Sequence, residues 1–253
     1  MMHEGQGKKM GSFRYRTRSN AAATQVSRRT LIFGLFSVLT LSAGTDYFAP
    51  SHARTVNVVN PIRIVAFGDS LTAGYGLQPS EAFPAQLERV LKAKGVSVEI
   101  INAGVSGDTT SAALARFDWA VPDGVDAAIV ELGANDALRG QPPEQAKKNL
   151  DAIIGRLRAK GIEVLLAGIP APRNWGDAYV KAFDPMFAEL AKKHGTLLYP
   201  FFLDGVAMKP EFSLADGLHP NAKGVAMIAN RIVPKVTELL DRVAAKRRAS
   251  GKT

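Results

Sequence analysis

Two of the four histidines lie beyond the first 53 residues, and one of them is placed for chemistry. His194 follows Lys192-Lys193 and precedes Gly195, the composition of a helix end where basic side chains meet the carbonyl dipole. His219 stands three residues after Asp216 in the loop Asp216-Gly217-Leu218-His219-Pro220. A carboxylate at that spacing can hold one ring nitrogen and leave the other free to take a proton. Such a base serves a hydroxyl nucleophile, which is weak until a base lies within hydrogen-bond reach. Acyl transfer also needs preorganised donors around the oxyanion that forms. By elimination, His219 is the candidate base and Asp216 its partner. Three other loops offer polar groups: Gly68-Asp69-Ser70-Leu71, Asn102-Ala103-Gly104-Val105-Ser106-Gly107-Asp108, and Gly133-Ala134-Asn135-Asp136.

These loops follow apolar runs that read as buried strands, at residues 62–67, 96–101, 127–132, 163–169 and 196–201. Between them, Phe83, Leu87, Val90 and Leu91 share one helical face, as do Ala146, Leu150, Ile153, Ile154 and Leu157. Phe183, Phe187 and Leu190 mark a helix that Pro185 should kink or restart. Val225, Ile228, Ile232, Val236 and Leu239 mark a last helix, with Pro234 inside it. Near-continuous apolar runs indicate strands covered on both faces. Strands alternating with helices imply right-handed parallel crossovers. The pattern predicts a three-layer α/β/α domain with a flavodoxin-like parallel sheet of about five strands. Ligands bind such sheets beyond the strands' carboxyl ends, where the polar loops lie.

The blocks GDSL (68–71), N-A-x-x-S-G-D-T (102–109), G-x-N-D (133–136) and D-x-x-H (216–219) resemble those of the GDSL/SGNH hydrolases. GDSLTAGYG, ELGANDALRG, PFFLDGV, Met208-Lys209-Pro210 and DGLHPN are similar to the thioesterase I/lysophospholipase/arylesterase branch. The resemblance spans roughly residues 61–240. It implies Ser70 as nucleophile, His219 as base and Asp216 as orienting acid. It further implies an oxyanion hole of the Ser70 N–H, the Gly107 N–H and the Asn135 side chain. The implied substrates are carboxylic esters, with acyl thioesters and lysophospholipids, and no metal or organic cofactor is required. Carbohydrate O-deacetylation is the alternative within the same family. Tyr75, in the loop 75–81, and Trp175, in the segment 171–177, are candidate substrate-binding residues.

Taken singly, each residue has a structural explanation. Ser70 can be a turn or N-cap residue, Gly107 a positive-φ position, Asn135-Asp136 a cap, and Asp216 or His219 a solvated loop residue. Asp69, Asp108 and Asp136 read as braces for their loops. The glycine-rich 68–76 loop also admits a phosphate or flavin-phosphate binder. It lacks the G-x-x-x-x-G-K-[ST] spacing, and no lysine occurs in 64–91.

The 253 residues include no cysteine, which excludes disulfides, thiolate zinc sites and cysteine nucleophiles. The net charge of +9 would fit a nucleic-acid partner if it lay on the folded domain. Residues 1–53 hold seven basic and two acidic groups, and residues 242–253 hold five basic groups and no acid. The segment between them carries 20 basic and 21 acidic groups, so no nucleic-acid partner is expected. Residues 1–53 read as an export leader: a basic stretch, the apolar run 31–44, and the small-x-small pattern Ser51-His52-Ala53. Arg28-Arg29 fits a twin-arginine signal, and an uncleaved anchor is the alternative. The expected organisation is a removed leader, a hydrolase domain at 54–241 and a basic C-terminal tail at 242–253. The expected protein is a periplasmic or secreted monomer with at most transient contact to membrane lipid.

Overall fold

The computed structural model describes residues 60–251, all within the second of two units into which the chain divides, Thr55–Thr253. The leader, its paired arginines and its cut site lie outside the described residues.

Five strands form one parallel sheet: β1 Ile62–Gly68, β2 Val98–Gly104, β3 Ala127–Glu131, β4 Glu163–Ala167 and β5 Leu197–Tyr199. Their order is β2-β1-β3-β4-β5, that of a flavodoxin-like doubly wound sheet. The α-helices among the described residues are α1 Ser70–Ala73, α2 Phe83–Ala93, α3 Thr110–Ala115, α4 Phe117–Ala120, α5 Ala134–Leu138, α6 Pro143–Ala159, α7 Asp177–Phe183, α8 Met186–His194 and α9 Ala222–Ala249. Helices α2 and α9 pack together on one side of the sheet, and α6 packs with α3 and α8 on the other. Every residue of β3 and β4 is buried, as strands sandwiched between two helical layers require. The apolar stripes of α2 (Phe83, Leu87, Leu91), α6 (Leu150, Ile153, Ile154, Leu157) and α9 (Val225, Ile228, Ile232, Val236) supply the rest of the core.

Strand boundaries depart from the apolar runs for local reasons. Gly95, at φ +80°, ends α2: its N–H bonds the Lys92 carbonyl and the Val96 N–H bonds that of Leu91. This Schellman closure commits Val96 to the helix end. β2 therefore starts at Val98 and runs on to Gly104. At the other end, Pro200 has no N–H to give, and β5 stops at Tyr199. Pro185 restarts the chain as expected, standing between α7 and α8.

Residues 242–249 are not a free tail. Helix α9 continues through Pro234 to Ala249, and Val243 is buried. The Arg247 guanidinium bonds Asp126 at 2.7 and 3.1 Å and the carbonyls of Asn60 and Pro61 at 2.9 and 3.0 Å. The basic run is thus one face of a helix whose other face completes the core. Its charge is partly spent on fastening the entry to β1.

Candidate active site

The four polar loops converge at the carboxyl end of the sheet. β1 delivers the chain through Gly68 and Asp69 into the short helix α1, whose first residue is Ser70. The turn is tight. A Cβ at Gly68 would lie 2.1 Å from Thr72 Oγ1, and one at Gly104 2.3 Å from the Ala73 nitrogen. Glycine at both positions lets α1 sit directly on the ends of β1 and β2. Asp69 caps α1, its Oδ1 accepting the Leu71 N–H at 3.0 Å.

Asp216 and His219 reach Ser70 from a loop closed at its base. The Leu214 N–H bonds the His219 carbonyl, and Asn221 N–H bonds that of Phe212. Asn221 also caps α9, accepting the N–H groups of Lys223 and Gly224. Asp216 Oδ1 accepts the backbone N–H of Leu218 and His219, while Oδ2 lies 2.7 Å from His219 Nδ1. His219 Nε2 lies 2.9 Å from Ser70 Oγ. The carboxylate makes Nδ1 the protonated nitrogen and leaves Nε2 as acceptor for the serine proton. The His219 N–H, the His219 ring and the Leu218 N–H draw the Asp216 carboxyl down to about 2.

The other two loops lie close by. Gly107, at φ +84°, occupies a conformation that strains any side chain, and its carbonyl accepts from Arg139. Asn135, in the first turn of α5, donates through Nδ2 to Asp69 Oδ2 at 3.1 Å. Each amide nitrogen carries two hydrogens, so one remains for a ligand. Among the described residues, the Ser70 and Gly107 N–H groups make no hydrogen bond to the protein. The Ser70 hydroxyl, the His219 ring and the Asn135 amide thus border one cavity, groups of the kind that addition to an acyl carbon requires.

The braces are the three aspartates expected. Besides Asp69, Asp108 accepts from buried Arg116 at 2.6 Å, and Asp136 takes the Thr110 N–H and hydroxyl at 2.8 and 2.7 Å. Arg116 also donates to the Gly68 carbonyl and lies over the Phe67 ring, tying the serine loop to the Gly107-Asp108 loop. Behind Asp69 stands Glu131, the last residue of β3 and only 1% exposed. Burial raises the Asp69 carboxyl to about 6, against the pull of the Leu71 N–H and the Asn135 amide. Burial, then the Asp69 charge, pushes Glu131 well above the usual carboxylate range.

Ser70, Asn135 and His219 border a cavity of about 400 Å³ whose walls include Leu138, Ile169, Pro170, Ala171, Phe201 and Leu203. The two residues expected to bind substrate stand outside this lining. Trp175 lies over Gly140 and beside Tyr179, with ring centroids 6.1 Å apart. Tyr75 instead covers the base, its ring centroid 4.4 Å from that of His219. Of the segment 171–177 only Ala171 and Pro172 reach the cavity, and none of 75–81 does. These walls follow the ends of β3, β4 and β5, and of them only Ala171 belongs to a segment the sequence pointed to. Glu131 did carry a signal, being a charged residue inside an apolar strand.

Comparison with known proteins places the chain. Residues 66–227 match the model of the GDSL-like lipase/acylhydrolase family. An arylesterase of Vibrio mimicus is 37% identical over 182 residues, covering 70% of this chain and 90% of that protein. The thioesterase 1/protease 1/lysophospholipase L1 of Escherichia coli K12 is 36% identical over 179 residues, covering 70% of this chain and 85% of that protein. The crystal structure of AlinE4, an SGNH-hydrolase family esterase, is 44% identical with a TM-score of 0.60, covering 72% of this chain and 97% of that one. The chain belongs to the GDSL-like lipase/acylhydrolase family and is a carboxylic ester hydrolase.

Proposed function

We propose that this hydrolase works through an acyl-enzyme on Ser70, and that it cleaves aryl and acyl esters together with acyl thioesters and lysophospholipids. One observation carries the mechanism: the unbroken chain from Asp216 through His219 to Ser70, opening on an apolar cavity. His219 Nε2 takes the serine proton as Oγ bonds to the acyl carbon. The carbonyl oxygen becomes an oxyanion held by the Ser70 N–H, the Gly107 N–H and the Asn135 amide. When the tetrahedral adduct collapses, the bond to the leaving group breaks and the imidazolium returns its proton to that group. Water then attacks the acyl-serine with the same base, releasing the carboxylic acid and restoring Ser70.

Several features support the substrate class. The cavity walls are aliphatic and aromatic, suited to an acyl chain, and half-exposed Leu138 and Leu218 stand at its edge, where transient contact with lipid is feasible. The relatives named above are an arylesterase and a thioesterase/lysophospholipase. An apolar wall serves a carbohydrate poorly, which disfavours O-deacetylation. The cavity beside Ser70 is walled by apolar residues with no lysine or arginine among its lining, which disfavours a phosphate binder. The leader supports export to the periplasm or medium. Ser70, His219 and Asp216 all come from one chain, so the reaction needs no second copy.

The test compares kcat/KM of the protein and of Ser70→Ala across esters of graded acyl length, acyl-CoAs and lysophospholipids. The reading requires activity on all three classes and its loss in Ser70→Ala. Turnover by Ser70→Ala would refute the mechanism, and activity confined to acetylated sugars would refute the substrate class.

A further inference from the structure

Glu131 takes no part in the reaction above, yet it is a fully buried acid behind the nucleophile turn. It pairs in register with Gly68 at the end of β1. That register sets its carboxyl beside the Asp69 carboxyl, which is also buried. Neither has a lysine or arginine bonded to it among the described residues. Thr72 donates to Glu131 Oε2 at 2.8 Å, and Leu71 N–H and Asn135 Nδ2 donate to the two Asp69 oxygens. His219 faces Asp69 from the loop above, and Arg116 reaches only the Gly68 carbonyl.

Two buried carboxylates in contact, with no cation between them, cannot both be ionised. The pair must hold one proton, and the hydrogen-bond inventory locates it. Both Asp69 oxygens already accept an N–H donor, so a proton on either would weaken one of those bonds. Glu131 Oε2 already accepts the Thr72 hydroxyl. Glu131 Oε1 is buried and meets no donor. It is the one oxygen of the four without a hydrogen-bond partner, and a proton there satisfies it without weakening a bond already made.

We propose that Glu131 is a positioning residue: a neutral carboxylic acid whose Oε1–H donates to Asp69, keeping Asp69 the acceptor that fixes the Asn135 amide. This rests on the reading of Asn135 as an oxyanion donor. A neutral Asp69 would place a donor or a weak acceptor against Nδ2, and the amide would lose its one fixed partner. Protonated Glu131 prevents this by supplying the proton from the far side. The Asn135 amide then stands in place before substrate arrives, as electrostatic preorganisation requires.

The experiment pairs infrared spectroscopy with kinetics on Glu131→Gln and Glu131→Leu. The unaltered protein should show a protonated-carboxyl C=O absorption at neutral pH that Glu131→Gln removes. Glutamine offers an N–H donor where the acid offered O–H, so kcat should stay within about threefold. Leucine offers none, and kcat should fall by about tenfold at little-changed KM, part of the ~10²–10³ that losing an oxyanion donor costs. If leucine prevents folding, the band and Glu131→Gln still decide. A spectrum in which Glu131→Gln removes no such band would overturn the proposal. So would a Glu131→Gln kcat as low as that of Glu131→Leu, or a Glu131→Leu kcat equal to the unaltered one. The absorption does not depend on turnover, so an active Ser70→Ala would sink the acyl-enzyme reading while leaving the protonated acid standing.

Discussion

His219 Nε2 lies 2.9 Å from Ser70 Oγ although 149 positions separate the two residues along the chain. The serine is fixed by the end of β1, and the histidine by a loop pinned ahead of α9, so the bond forms only when the whole sheet is assembled. In the proposed mechanism, its use depends on the tautomer that Asp216 imposes.

That dependence makes Asp216→Asn informative. An asparagine can keep the Oδ1 contacts to the Leu218 and His219 N–H groups, so the loop should hold its shape. The amide nitrogen facing Nδ1 would favour the wrong tautomer. We predict a fall in kcat of about 10⁴ with the fold retained and only a modest loss of thermal stability. A kcat within about tenfold would assign Asp216 to the loop alone.

Asn135→Ala should lower kcat by about 10²–10³ and leave KM nearly unchanged, because the amide is needed most once the oxyanion exists. Steady-state kinetics on a soluble aryl ester checks this. A raised KM at constant kcat would make Asn135 a ground-state binding residue.

The buried acids and Asp216 set opposite slopes of stability against pH. Asp69 is raised from 3.8 to about 6, so the folded state binds that proton more tightly than the unfolded chain. Stability present below pH 3.8 is therefore lost as pH rises through 6, and Glu131, raised from 4.5, extends the loss upward. Asp216 is lowered from 3.8 to about 2, so its contribution is present above 3.8 and lost as pH falls through 2. Urea midpoints from about pH 4 to about pH 8 should decline less steeply in Glu131→Gln than in the unaltered protein. Parallel declines would mean that Glu131 does not titrate differently on folding.

Arg247→Ala should destabilise the domain by about 2 kcal/mol, since it removes charge-assisted bonds to Asp126 and bonds to two β1-entry carbonyls. The site lies at the other end of the sheet, so kcat should not change. Equal denaturation midpoints would return residues 242–249 to the status of a solvated tail.

Much of this was legible locally. Continuous Val, Ile, Leu and Ala runs mark strands that helices cover on both faces, and β3 and β4 are buried at every position. Asp216 and His219 could be paired from their spacing alone, because three residues in a turn suffice to join their side chains. The start of β2 was not legible, since Val96 serves a helix cap that only hydrogen bonds reveal. Arg247 looked like part of a charge run until α9 carried it to Asp126. The cavity walls were hidden for another reason. Leu138, Ile169, Phe201 and Leu203 meet only because β3, β4 and β5 all end on the same edge of the sheet.

The proposed mechanism requires a covalent bond at one oxygen, Ser70 Oγ. Treating the protein with an activated alkyl phosphonate and mapping the adduct by peptide mass spectrometry tests this directly. One phosphonyl group on Ser70, absent from both Ser70→Ala and unfolded protein and slowed in His219→Ala, is the predicted result. An adduct on another residue, or full hydrolytic activity after stoichiometric labelling of Ser70, would contradict it.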